Sequence, residues 1–560
     1  MASIEMESAK EDDISPIEEV RLVVSNEDDP RQPVWTFRMW FLGIVAVILL
    51  SFLNTFFGYR KQPLLVTMIS VQVATLPIGR FMARVLPPTK FRIRGRDFSL
   101  NPGPFNIKEH VLISIFANAG AAFGNGAAYA VGIVDIIRAF YGRKITFLAG
   151  WLLVLTTQVL GYGWAGIMKK YVVEPAEMWW PSTLVQVSLF RNYAKSRTLA
   201  ASTSTRPYTS SNCPMARSPL SCLSFVLPQQ IGSGEKGLGL GSFSLDWTTV
   251  AAFLGNPLVS PFFATANVLV GYILLIYLII PVSYWGLNIY NAKNFPIYSS
   301  SLFVANGTEY NVKAIVNEKF EIDMLAYEKQ GRVNLSAFFA ISYGIGFAAI
   351  ASSLTHVAIF NGREIYEQFR SSRSKKEDIH ARLMKKYKRI PSWWFHVTLL
   401  VSFALALLLC IVMKDQIQMP WWGLIFASGI ALTFTLPVSI ITATTNQTPG
   451  LNIITEYIMG VILPGKPIAN VCFKTYGYIS MSQAVSFLSD FKLGHYMKIP
   501  PRSMFIVQVV GTLIAGTMDV GVAWWLLGSV KNICNQDLLP ADSPWTCPGD
   551  KVFFDASVIW

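Results

Sequence analysis

Residues 393–456 read WWFHVTLLVSFALALLLCIVMKDQIQMPWWGLIFASGIALTFTLPVSIITATTNQTPGLNIITE. Two mostly apolar runs, 393–413 and 421–443, flank a short loop with Lys414 and Asp415. A hydrocarbon core of about 30 Å needs roughly 20 such residues in a helix, so each run predicts a membrane span. Beyond the second run, Thr444-Thr-Asn-Gln-Thr-Pro-Gly-Leu-Asn452 interrupts the pattern and leads into an apolar stretch containing Glu456. Working outward, comparable windows lie at 39–58, 63–85, 110–134, 145–168, 263–285, 335–360 and 503–528. The predicted fold is an all-α polytopic membrane protein of about 9 to 11 transmembrane or re-entrant helices, with interrupted helices forming a mid-membrane site. Composition agrees: 52% of the 560 residues are hydrophobic and 14% charged, which excludes a string of soluble domains and a nucleic-acid-binding tail protein.

Charge sets the expected orientation. Residues 1–35 hold ten acidic against three basic residues, whereas the rest of the chain holds 44 basic against 24 acidic. Residues 1–36 therefore form an acidic arm with neither the apolar core of a signal peptide nor the arginines of a transit peptide. Arg84, Lys90, Arg92, Arg94, Arg96 and Lys108 oppose Asp97 alone after the second span, and 361–391 carries ten basic against four acidic residues. Both loops are expected in the cytosol with the amino terminus. The loop 286–334 is balanced and carries the sequons Asn306-Gly-Thr and Asn334-Leu-Ser, so it is expected outside, with Asn306 the better glycan acceptor. Residues 531–560 fall on the same side, where Cys534 and Cys547 can form a disulfide. The remaining divisions are a first bundle at 37–190, a Ser/Pro/Arg-rich segment at 191–228, and a carrier region at 229–530.

Several motifs fail on inspection. Gly460 to Pro467 is P-loop-like, but Pro467 replaces the hydroxyl residue that would hold magnesium. Gly161, Gly163 and Gly166 match G-x-G-x-x-G inside an apolar span, where small residues serve close helix packing. Neither a zinc-protease nor a serine-hydrolase motif occurs, and no Cys/His set has metal-ligand spacing, so no enzyme, cofactor or metal site is expected. The polar interruptions are more informative, because free backbone at membrane depth must be covered by protein or line a cavity. Three regions qualify: Asn118 to Gly126 with Asn118 and Asn125; Gln229-Gln230 through Asp246 to Pro257; and Thr444 to Asn452 with Asn446 and Asn452. Among acidic residues within or beside spans, Glu456 is the foremost candidate for carrying a proton, with Asp246 second. An ion pair of Glu456 with Lys466 or another basic residue is the structural alternative.

These motifs have a family resemblance. Asn101-Pro-Gly-Pro-Phe-Asn-Ile-Lys-Glu-His110, the run from Ser244-Leu-Asp-Trp to Ala264-Thr-Ala-Asn267, Ala443 through Glu456, and Lys498-Ile-Pro-Pro-Arg502 together resemble the oligopeptide transporter family. The similarity is to its plant peptide-transporter branch, whose hallmarks are Asn101-Pro102-Gly103 and Lys498-Ile499-Pro500-Pro501-Arg502. It implies a plasma-membrane, proton-coupled importer of small peptides; some relatives carry glutathione, or iron and copper as nicotianamine chelates. On this reading Asn118, Asn125, Gln229, Gln230, Asn446 and Asn452 bind substrate, while Glu456 and Asp246 couple protons. Asn101-Pro-Gly is a tight turn, and Lys498 to Arg502 a lipid-headgroup or gating anchor. Family members are expected to have a hydrophobic pair of spans in place of 192–227 and further spans after Trp560. A misassigned exon and early termination would explain both departures, which leaves a non-transporting regulatory remnant as the rival of a different class.

Overall fold

The computed structural model describes residues 15–61, 65–93, 96–119, 128–195, 230–231, 238, 240, 260–317, 319–370, 378–535, 538–540 and 542–559. The principal helices are α1 (Phe37–Gly58), α2 (Met68–Val85), α3 (Ile107–Asn118), α4 (Phe147–Val172) and α5 (Pro181–Lys195). They continue with α6 (Phe262–Gly286), α7 (Ala337–Asn361), α8 (Ile379–Met384), α9 (Ser392–Val412), α10 (Trp421–Thr445) and α11 (Asn452–Ile462). The last three are α12 (Pro467–Tyr496), α13 (Pro501–Ser529) and α14 (Pro548–Ala556). Two small antiparallel sheets, Lys90–Ile93 with Arg96–Ser99 and Leu302–Phe303 with Asn334–Leu335, are the strands among the described residues. The chain is thus an all-α polytopic membrane protein, and α1, α4, α6, α7, α9, α10 and α13 are each long and apolar enough to cross a bilayer.

Local chemistry explains the boundaries. Thr36, Asn106, Thr146 and Ser336 each accept a backbone N–H from the first turn of α1, α3, α4 and α7, satisfying donors that a helix start leaves orphaned. Pro467 and Pro501 sit at the first position of α12 and α13, where a missing N–H costs nothing. The expected span 63–85 is helical from Met68, and 110–134 holds part of α3 and part of a short helix, Val131–Asp135, with residues 120–127 outside the described ones.

The principal correction concerns α12, which was not among the nine expected spans. All of its 30 residues except Tyr478, Ser486 and Ser489 are buried, and it packs against α4, α10 and α11 at the centre of the bundle. Its polar residues are the reason that apolarity does not reveal it: Asn470, Lys474, Gln483, Asp490 and Lys492 face protein rather than lipid. The α4–α12 crossing is close because Gly161 has no side chain; a Cβ there would lie 2.0 Å from the Ser480 carbonyl oxygen. Gly163 and Gly166 likewise admit Leu399 and Phe395 of α9, so the G-x-G-x-x-G run is a packing surface.

The connecting segments gather at two ends. At one, Lys108 Nζ donates to Asp28 Oδ1 and Tyr387 Oη at 2.8 and 2.7 Å, joining the acidic arm to both basic loops. At the other, Ile322 N donates to Gly465 O at 3.0 Å and Cys547 N to Tyr59 O at 3.2 Å, beside the Cys534–Cys547 disulfide. We call these the arm end and the disulfide end.

Candidate substrate and coupling site

The interrupted segment 444–452 becomes a re-entrant hairpin. Helix α10 starts at the disulfide end, since Gln418 just before it donates to Lys319 O, and runs inward for 25 residues. Asn446 then takes a left-handed conformation, φ 60°, which a short polar side chain tolerates better than most. The turn is tied back on the helix: Thr442 Oγ1 donates to Val438 O at 2.8 Å and lies 3.1 Å from Thr448 Oγ1, and Gln447 N donates to Thr445 Oγ1. The 11 residues of α11 return to Gly465 at the disulfide end, a path of about 16 Å against about 37 Å for α10. The amino end of α11 therefore lies at depth, and no side chain caps it. Close packing holds the short helix: a Cβ on Gly477 of α12 would lie 2.8 Å from Thr455 Cγ2, and one on Gly346 of α7 would lie 2.4 Å from Ile453 Cδ1.

One turn into α11, the side chain of Glu456 is 2% exposed and pairs through Oε1 with Lys474 Nζ of α12, itself 4% exposed. The second carboxylate oxygen accepts from Tyr343 Oη of α7 at 3.4 Å. The ammonium lies 4.5 Å from the ring centre of Phe553 in α14 and 5.7 Å from that of Tyr129, so aromatic faces flank the cation. Tyr129 also packs edge to face on Phe553 at 5.1 Å and on Tyr478 at 5.9 Å. Tyr478 lies close to Gly450 of the hairpin turn, where a Cβ would be 3.3 Å from its ring. The ion pair weighed as the structural alternative for Glu456 does form, with Lys474 rather than Lys466, which lies before α12 and reaches Glu321 at 3.7 Å. Sequence reasoning missed Lys474 because it sits on the unrecognised helix.

The other expected site residues are dispersed. Asn446 Nδ2 donates to Ser260 Oγ at 3.3 Å, and Asn452 opens α11, so both border the hairpin turn. Asn118 does not join them. Its amide donates to Asp490 at 3.0 and 3.3 Å, where Gln508 Nε2 donates as well at 2.9 Å. Asp490 is 16 residues beyond Lys474 on α12, about 24 Å along its axis. Gln230 is also elsewhere, donating to Tyr284 Oη, which itself donates to Phe295 O after α6. Asn125, Gln229 and Asp246 lie outside the described residues. A further buried carboxylate, Asp519 of α13, accepts from Thr55 Oγ1 at 2.8 Å and Ala128 N at 2.9 Å.

Comparison with known proteins agrees with this architecture. A family model described as OPT oligopeptide transporter protein matches residues 34–560. The chain belongs to the oligopeptide transporter family. Among its Arabidopsis thaliana relatives, oligopeptide transporter 2 is 65% identical over 100% of this chain and 79% of its own length. Oligopeptide transporter 4 is 64% identical, covering 98% of this chain and 78% of its own, and oligopeptide transporter 3 is 50% identical, covering 97% and 76%.

The Asn101-Pro102-Gly103 and Lys498–Arg502 motifs that carried the resemblance both lie at the arm end. Asn101 Nδ2 donates to Ala83 O and Leu86 O, both at 2.8 Å, closing the carboxyl end of α2. Its Oδ1 accepts from Arg38 Nη1 at 3.1 Å, and the same guanidinium donates to Gly103 O at 2.8 Å and to Glu109 Oε1 at 2.9 Å. Asn101-Pro102-Gly103 is therefore a turn, with Gly103 at φ 135°, that locks α1, α2 and α3 around one buried ion pair. Lys498 corrects the lipid-headgroup reading, because it is only 3% exposed. Its Nζ donates to Tyr496 O at 2.9 Å and lies 3.0 Å from His380 Nδ1 of α8. Burial pushes Lys498 down to about 7, and burial with Lys498 alongside pushes His380 down to about 3. Ile499 is buried, Pro500 and Pro501 lead into α13, and Arg502 Nε donates to Arg389 O at 2.9 Å. The motif thus clamps the basic loop onto the bundle.

Proposed function

We propose that this protein is a proton-coupled importer of small peptides in the plasma membrane, with its arm end in the cytosol. The observation that carries the reading is the Glu456–Lys474 ion pair, buried between a re-entrant half-helix and the central helix of the bundle. A buried pair is costly to desolvate and strongly unfavourable to break unless a new charge or proton replaces the lost partner. Glu456 can meet that condition by taking a proton as an anionic group of the substrate replaces it beside Lys474, so the ammonium keeps a counter-charge. Each proton entering down a 100 mV potential supplies about 2.3 kcal/mol, enough to energise accumulation of a small solute. The orientation is supported by the joining of the two basic loops at the arm end through Lys108 and Tyr387, since cytoplasmic loops carry the lysine and arginine excess. Names of the relatives support peptides as the substrate class.

The test is electrical. In oocytes or proteoliposomes the protein should give a peptide-evoked inward current that grows as the outer medium is acidified, and Glu456→Gln should abolish it. Full current in that variant would remove Glu456 from coupling. Currents evoked by iron or copper nicotianamine complexes and not by peptides would reassign the substrate.

A further inference from the structure

Resting on the peptide reading, we propose that Lys474 and Asn470 form the subsite for the substrate's terminal carboxylate, and that the Glu456–Lys474 pair is an internal stand-in for a zwitterionic peptide. Lys474 and Asn470 are four residues apart on α12 and so share one face of the helix. Asn470 is 2% exposed, yet neither its Nδ2 nor its Oδ1 has a hydrogen-bond partner. A buried amide with both atoms unpaired is rare in a folded interior, because each orphaned group carries its full desolvation cost. Here Asn470 stands one helical turn before Lys474, on the side toward the disulfide end where α12 begins.

An unpartnered amide on the same helix face as a desolvated cation offers what a carboxylate requires: a charge-assisted bond from Lys474 and a second hydrogen bond from Asn470 Nδ2. The other end of the peptide follows from the same bookkeeping of charge. When its carboxylate takes Lys474, Glu456 is left either to the terminal ammonium, which keeps every buried charge paired, or to a proton, which leaves that ammonium to a partner beyond this pair. Tyr129 and Phe553, which already flank the Lys474 ammonium, would cover the bound carboxylate end from water. Where Glu456 takes a proton, hydronium in the outer medium gives it up and becomes water, and no other covalent bond is made or broken.

The experiment compares uptake of tetra-alanine, its carboxy-terminal amide and its N-acetyl form by the full chain in proteoliposomes. The intact protein should favour the free acid over the amide by about tenfold or more, the worth of one hydrogen-bonded charge. Lys474→Gln should bring that ratio close to one while leaving discrimination against the N-acetyl form, and Lys474→Arg should restore it. Should Lys474→Gln fail to fold, Asn470→Ala leaves the ion pair intact and is expected to reduce the ratio on its own. An unchanged free-acid preference in both Lys474→Gln and Asn470→Ala, or in Asn470→Ala alone where the first is unfolded, overturns this assignment and leaves peptide transport standing. Absence of all peptide uptake by the folded, unsubstituted protein overturns the transport reading and the subsite with it.

Discussion

Replacing Gly161 by alanine should damage the bundle at its centre. A Cβ at this position would lie 2.0 Å from Ser480 O, 2.9 Å from Ala484 N and 3.0 Å from Ser480 C, all backbone atoms of α12. Ordinary contact begins near 3.4 Å, so the two helices must separate locally by about 1.4 Å, and no side chain can yield in their place. Overpacking a close-fitted interior costs about 1–3 kcal/mol, and the upper end applies where the obstacle is backbone. The separation also weakens neighbouring contacts, because a radial gap of about 0.5–1 Å forfeits a quarter to a half of each dispersion well. Gly521 of α13 is the control: a Cβ there meets nothing within 4 Å, and alanine should leave stability unchanged or raise it by roughly 0.5–1 kcal/mol. Tryptophan-fluorescence melting in detergent micelles should show a lower apparent Tm for Gly161→Ala and no loss for Gly521→Ala. If Gly161→Ala melts at or above the unsubstituted protein, the inferred backbone contact between α4 and α12 is wrong.

Three further outcomes follow from other sites. Arg38→Met strands Glu109 in a buried position and should lower stability by about 3–5 kcal/mol, whereas Arg38→Met with Glu109→Leu should recover most of it; equal melts for the single and double variants would contradict this. Because folded Lys498 sits near 7 rather than 10.5, and folded His380 near 3 rather than 6.5, the unfolded chain binds the extra proton throughout each interval. Stability should therefore rise with pH across 7 to 10.5 and across 3 to 6.5, by at most about 1.4 kcal/mol per unit for each group. Lys498→Met should flatten the alkaline window and His380→Gln the acid one, so melting profiles with unaltered slopes would count against the buried pair. Asn306 is exposed on a turn whose Thr308 N and Oγ1 donate to Asn306 Oδ1, while Asn334 Nδ2 is engaged with Phe303 O and Arg332 O. An endoglycosidase-sensitive mass shift should then vanish in Asn306→Gln and persist in Asn334→Gln.

How far the sequence carried these conclusions depended on the range of the interaction involved. Membrane spans are a local property, so apolar windows located α1, α4, α6, α7, α9, α10 and α13 within a few residues. The hairpin at 444–452 was visible for a similar reason, since Pro449, Gly450 and a cluster of amides break a local pattern. Helix α12 escaped because its burial comes from α4, α10 and α11, which lie elsewhere in sequence; read alone, Lys474, Asp490 and Lys492 count against a span. Asn118 drew attention by its glycine-rich setting, but its role is set by Asp490, 372 positions away. Lys498 shows the same limit from the other side: its charge is written in the sequence, while its burial depends on α8 folding back across it.

The pairings along α12 give the site its mechanical character. Lys474 is paired with Glu456 on α11, Gln483 with Gln158 on α4, and Asp490 with Asn118 on α3 and Gln508 on α13. Lys492 donates to Val173 O and Pro175 O just beyond α4, at 2.8 and 2.9 Å. Each of these four groups is therefore matched outside α12, whereas Asn470 is not, and breaking any of the four matches exposes the cost of an unpaired group. Glu456 stands on a short helix bounded by turns at both ends, residues 446–451 and 463–466, whereas Gln158 and Gln508 stand on the long helices α4 and α13. A displacement of α11 can thus separate Glu456 from Lys474 while the pairings of Gln483, Asp490 and Lys492 hold the central helix in register. On the proposed coupling, that asymmetry lets a proton and a peptide replace the Glu456–Lys474 pair without dismantling the rest of the polar axis.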